Sequence, residues 1–256
     1  MYKLLLLSLL AMIAFDGCST HDEPSVVKVT QEPMYVDENT LILFALDAQN
    51  HHQFGKAVSY YDLLYTKTED KSYREESLKA LIQGHYYKDI VQRLQTRQQN
   101  GETLSEIERY YLIVSLIEIK DFNEAEKEAK VLLVDYPVEK SHLLLAEVYI
   151  KQQDYLRAVS VLEQAYKLNY SERVLDQISV LIYVNMKSPY EAISRIEQHI
   201  KTFGYSLMLT KRLVAFYGDQ HDEAGLLKYY PHLYDLEPTK QMVMLWCNCT
   251  GMQKRS

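Results

Sequence analysis

Few side chains in this 256-residue chain could do covalent or metal chemistry: three cysteines, eight histidines and one serine followed three residues later by a lysine. Ser25 and Lys28 have the spacing with which some acyl enzymes set a nucleophile beside its base. They lie in residues 19–36, where Pro24, Pro33 and the lack of a helical period argue against regular structure. No surrounding fold is expected there to desolvate the lysine. His51-His52, His85 beside Gly84, and His221-Asp222 read as solvated turn residues, since two ligands without a third do not make a zinc site. Cys247 and Cys249 are two apart, so on a helix they point to different faces and a local disulfide is disfavoured. Apolar packing is the ordinary fate of such a pair, with intermolecular pairing as the alternative. The chain has no glycine-rich phosphate loop, no His-Glu zinc helix and no nucleophile elbow. The expectation is therefore no cofactor, no metal and no enzymatic activity. A cleft with convergent titratable groups would revive an enzyme.

Cys18 has a different setting. Lys3 precedes an apolar run from Leu4 to Phe15, too short to span a bilayer and consistent with a secretory signal over residues 1–17. Gly17-Cys18 resembles the bacterial lipobox, in which a small residue precedes a cysteine that is lipidated. Phe15 and Asp16 depart from that pattern. The resemblance implies a lipidated Cys18 followed by a flexible tether over 18–36; the alternative is a plain signal peptide with an incidental cysteine. Fully extended, eighteen residues reach about 60 Å. Ser19, by resemblance to enterobacterial sorting, implies the outer membrane more than the inner.

Composition narrows the rest. Hydrophobic residues make up 47% and charged residues 25%, which describes a folding chain. With eight glycines and six prolines, turn residues are too scarce for a β-sandwich or barrel. The formal charge of −7 gives no electrostatic reason to bind nucleic acid.

One register organises residues 37–238. A position suited to the close approach of two helices falls at Ala57, Ile90, Ala125, Ala158, Ala192 and Leu226, at intervals of 33, 35, 33, 34 and 34. Twelve residues earlier stand Ala45, Leu78, Ile113, Ala146, Val180 and Val214. Three residues earlier stand Phe54, Tyr87, Phe122, Tyr155 and Pro189, with Glu223 breaking the pattern. A period near 34 marks helical hairpins that stack because none can bury its apolar faces alone. The bulky pairs Leu78/Ile90 and Val214/Leu226 predict splayed or sliding helices in the second and sixth hairpins. Tyr149, Tyr183 and Tyr217 are expected to pack toward the next repeat. Thr103 to Glu106 reads as a capping box, and Pro189 as the first residue of a helix. Gly84, Gly101 and Gly204 are expected to end helices in left-handed conformations. Residues 239–249 read as a capping helix with Trp246 over the open end, and the tail to 256 as loose.

Six such copies resemble the tetratricopeptide repeat family, best in Leu145-Ala146, Tyr149, Tyr155 and Ala158, and in Phe122, Ala125 and Pro137. The family tryptophan is absent, and the helix-ending proline occurs only at Pro137 and Pro238. The resemblance implies an all-α, right-handed superhelical solenoid of about six hairpins. Its first helices would line a concave face carrying Glu75, Lys79, Tyr110, Val114, Leu143, Glu147, Gln177, Leu181, Lys211 and Ala215. The lysine–asparagine clamp of chaperone-binding members is not matched. Tyr110, Leu143 and Leu181 could receive an apolar helix or extended segment. The expected function is a protein-binding scaffold in the bacterial envelope, anchored to membrane by the N-terminal lipid and facing the periplasm. Its partner would be another envelope protein or peptide, as in assembly or secretion machinery. The alternative is a regulator or adaptor of an envelope hydrolase or protease.

Overall fold

The computed structural model describes residues 37–238. They form twelve α-helices and no strand among the described residues. The helices pair as six antiparallel hairpins: α1 (Glu38–Asn50) with α2 (Phe54–Thr68), α3 (Lys71–Gln83) with α4 (Tyr87–Gln99), and α5 (Glu106–Glu118) with α6 (Phe122–Asp135). They continue as α7 (Glu139–Lys151) with α8 (Tyr155–Asn169), α9 (Glu172–Val180) with α10 (Pro189–Phe203), and α11 (Leu207–Asp219) with α12 (Glu223–Leu236). Each hairpin packs on the next, giving a solenoid with one continuous core. Odd-numbered helices are the first of each hairpin and even-numbered helices the second.

Three local devices make the hairpin turn. Ala57, Ile90, Ala125, Ala158 and Ala192 are fully buried, so the two axes can close on one another. Five residues before that position a non-glycine residue adopts a left-handed conformation in every hairpin: His52, His85, Lys120, Gln153, Lys187 and His221, with φ between 54° and 65°. An aspartate then caps the second helix in three of them: Asp121, Asp154 and Asp222 each accept the N–H three residues on. The histidines thus serve as turn residues, as expected. Gly101 and Gly204 are left-handed at φ 83° and 93°. Gly84 is not. It is right-handed, and what excludes a side chain there is the Tyr86 ring and the Phe54 Cβ. The capping box sits two residues beyond its expected place. Ser105 caps α5 and Glu108 returns the bond to the Ser105 N–H at 2.9 Å, while Arg97 holds the same carboxylate from α4.

The bulky pairs behave differently from one another. α3 and α4 touch least of the six hairpins, as Leu78 against Ile90 predicts. The sixth hairpin does not splay. Val214 is only half-buried, and Leu213 and Phe216 carry the packing instead. In the fifth, α9 runs into a π-helical turn, Leu181–Asn185, which leaves Val180 half-buried and buries Ser179 and Ile182. The tyrosine expectation holds for one of three. Tyr183 stacks on Phe216 of the next repeat at 4.0 Å and bonds Asp219. Tyr149 and Tyr217 instead reach back to carboxylates on the preceding second helix, Glu126 and Glu197.

Neighbouring hairpins are also tied by ion pairs. Arg93 forks onto Asp62 at 2.8 and 2.9 Å, Arg157 reaches Glu126, Arg195 reaches Glu163 and Lys228 reaches Glu197, each between successive second helices. Arg173–Glu139 and Arg212–Asp176 do the same between first helices. The expected signal, Cys18, tether, Ser25–Lys28 pair, capping helix, Trp246, Cys247 and Cys249 lie outside the described residues.

Candidate partner-binding groove

The first helices of hairpins three to six enclose a groove of about 650 Å³. Its floor is apolar: Tyr110 from α5, Leu143 and Ile150 from α7, and Val180 and Leu181 at the π-helical turn. Leu162 of α8 shows at the bottom between them. The rim is polar. Lys140 stands 4.3 Å above the Tyr110 ring, and Glu147 and Gln177 are exposed on α7 and α9. Among the described residues, neither Lys140 nor Glu147 makes an ion pair. At the far end Arg212 forks onto Asp176 with bonds of 2.6 and 2.9 Å. That bonding holds the Arg212 guanidinium above its ordinary range against the opposing effect of burial.

Of the residues read from the register, Tyr110, Leu143, Glu147, Gln177 and Leu181 come together here. Leu181 is 8% exposed, because the π-helical turn faces it inward, so it forms floor and not rim. The other five lie elsewhere. Glu75 is exposed on α3, and Lys79 is bonded to Glu76 at 2.6 Å. Val114 packs half-buried against the core. Lys211 is drawn to Glu237 at the end of α12, and Ala215 is exposed on α11. Sequence reasoning missed Lys140, Ile150, Asp176, Val180 and Arg212. The opposite charges of Asp176 and Arg212, on consecutive first helices, were a usable signal. The π-helical turn left none in the register.

A second cavity, of about 750 Å³, opens where α3 splays from α4. Arg74, Arg93 and Arg97 line it, but each is already matched: Arg93 by Asp62, Arg74 by Glu102, and Arg97 by Glu102 and Glu108. With its arginines satisfied internally, this cavity offers an incoming ligand no unpaired cation among the described residues. Glu197 of α10 accepts bonds from Tyr217, Lys228 and Tyr229 of the last hairpin. Burial and this carboxylate push the Tyr229 hydroxyl up to about 12, so it stays a proton donor in a structural knot across α10, α11 and α12.

No family model and no curated relative matches the sequence. Solved structures do match. A tetratricopeptide repeat protein from Parabacteroides merdae is 14% identical, with a TM-score of 0.54 over 85% of this chain and 87% of that one. A thermophilic tetratricopeptide protein of Thermus thermophilus gives 11% identity and a TM-score of 0.40, covering 84% of this chain and 99% of the other. A tetratricopeptide protein described as having an unusual peptide-binding site gives 14% and 0.40, covering 82% and 91%. At 14% identity the likeness to the Parabacteroides merdae structure speaks to fold alone. Together with the six stacked hairpins, it identifies residues 37–238 as a solenoid of the tetratricopeptide repeat type.

Proposed function

We propose that this protein is a non-catalytic scaffold that holds a segment of another protein in the groove between α5 and α11. The observation that carries the reading is the pairing of an apolar floor with a rim whose Lys140 and Glu147 have no partner ions among the described residues. Such a surface favours an amphipathic helix or extended segment, with apolar anchors below and complementary charges at the edge. Capture is by equilibrium binding to a preformed surface, so no bond is made or broken. Tyr110→Asp with Leu143→Asp tests it. Both side chains are half-buried in the groove floor, and the double variant should keep its helical circular dichroism while losing partner capture at least tenfold. Leu181 is left alone because a charge at so buried a position would unfold the repeat. Undiminished capture by the folded variant rejects the groove.

The setting we propose is the bacterial envelope, with an acyl chain on Cys18 and the solenoid facing the periplasm. The sequence of residues 1–18 supports it. Acyl chains give stable anchoring when more than one is present, and the tether would concentrate the groove near the membrane. Incorporation of labelled fatty acid into the native chain, absent in Cys18→Ala, is the expected result; equal incorporation into both removes the anchor.

A further inference from the structure

The two long edges of the solenoid differ in a way the groove does not explain. One edge carries the tight turns within hairpins, whose tips are polar at His51-His52-Gln53, Lys120-Asp121, Gln152-Gln153-Asp154 and Gln220-His221-Asp222, with Leu156, Val184 and Tyr190 exposed singly beside the fourth and fifth turns. The other carries the junctions between hairpins. At the first two junctions it is also polar, with Thr66 to Asp70 and Gln99 to Thr103. From the third junction on it turns apolar. Val134, Leu168, Tyr170, Phe203, Tyr205 and Leu207 are all exposed there, within three residues of a helix end. They line up because successive junctions touch. Arg173 and Asn169 bond Glu139 across one step, and the Tyr170 and Phe203 rings lie 5.1 Å apart across the next. Tyr205 then stacks on His232 of α12 at 3.8 Å.

We infer that this junction edge lies against a lipid bilayer surface, with its aromatic and aliphatic tips in the headgroup–acyl boundary. Three features favour a membrane over a protein. A row of separate exposed tips suits a bilayer interface, which accepts them at any spacing. Tyrosine, phenylalanine and leucine with neighbouring lysines are the residues that partition to that boundary, the rings bridging apolar and wet layers while lysines reach headgroups. Lys167 and Lys201, both exposed in the last turns of α8 and α10, stand in those positions. Finally, both ends of the described solenoid lie on this edge, because α1 begins there and α12 ends there. No described helix is long and apolar enough to cross a membrane, so the contact is peripheral. It also fixes an orientation, with the hairpin axes standing off the bilayer and the groove open to the side.

The test reads depth at the edge itself. In the full chain with Trp246→Phe, a single reporter is placed by Phe203→Trp or, on the opposite edge, by Tyr190→Trp. Vesicles of phosphatidylcholine and phosphatidylglycerol, with brominated acyl chains, should quench the reporter at 203 at least twofold relative to unbrominated vesicles, and leave that at 190 unchanged. No quenching at 203, or equal quenching at both, overturns the inference and assigns the ridge to a protein partner. A second variant, Val134→Asp with Leu168→Asp, alters two exposed side chains outside the ring contacts. It should cut vesicle partition at least tenfold with unchanged circular dichroism, and undiminished partition counts against the edge. Capture in the groove is measured without vesicles on other residues, so either reading can fail while the other stands.

Discussion

Glu108 offers the sharpest quantitative test of how the hairpins are joined. Its carboxylate is 6% exposed, closes the capping box of α5 on the Ser105 N–H, and pairs with Arg97 of the preceding hairpin. Removing it by Glu108→Ala loses the cap, about 1 kcal/mol, and a charge-assisted bond to a partly buried guanidinium, about 1.5–3 kcal/mol. Arg97 keeps Glu102 at 2.9 Å, which limits the penalty of an unpaired charge. The sum is about 2.5–4 kcal/mol, or about 5–16 °C in midpoint for a domain of this size. Glu108→Gln keeps the shape and an acceptor for Ser105, and should cost about half as much. The pH dependence follows from the same geometry. Burial raises the Glu108 carboxyl, but Arg97 and the Ser105 N–H outweigh it and hold it below its ordinary value. The folded state therefore binds fewer protons than the unfolded one through that window. The stabilisation is fully present above the unfolded value, about 4.3, and is lost as pH falls through the depressed folded value. Urea denaturation from pH 7 to pH 3 should show the native and Glu108→Gln curves converging below about pH 4. A gap that stays constant with pH, or a cost for Glu108→Ala below about 0.5 kcal/mol, refutes the assignment.

Other perturbations separate packing from strain. Lys120→Gly and Gln153→Gly relieve left-handed residues at φ 65° and 61° and should each raise stability by up to about 1 kcal/mol in thermal melts. Gly225→Ala should lower it by about 1–3 kcal/mol, because the added methyl would overlap the Tyr217 ring held beneath Tyr229. The Thr210 hydroxyl is fully buried with no hydrogen-bond partner among the described residues, so Thr210→Val should be neutral or stabilising by about 1 kcal/mol in urea denaturation.

The register was legible in the sequence because it depends on side-chain size at a fixed spacing. Ala57, Ala125, Ala158 and Ala192 are small where two axes must meet, and all four are buried as their spacing requires. What was missed depends on interactions between repeats or on backbone detail. The left-handed turn residue is histidine, lysine or glutamine in different hairpins, so no residue type announces it. The true capping box, Ser105 with Glu108, overlapped an equally plausible pattern at Thr103 with Glu106. The buried Leu104 and the pull of Arg97 select the later register. The π-helical turn decides the groove floor, since it faces Leu181 and Val180 toward Leu143 in place of the expected periodicity. The ladder of ion pairs between second helices was readable in hindsight. Asp62 with Arg93, Glu126 with Arg157, and Glu197 with Lys228 are each separated by 31 residues.

The most direct measurement of the scaffold claim is photocrosslinking in native envelopes from single sites bearing a photoreactive side chain. Gln177 lies exposed on the groove rim, whereas Thr96 lies exposed on α4, among the second helices. A discrete protein adduct from position 177, absent from 96 and lost in the Tyr110→Asp, Leu143→Asp chain, is the predicted result. The same adduct from both sites, or one from 177 that persists in that variant, contradicts a partner seated in the groove.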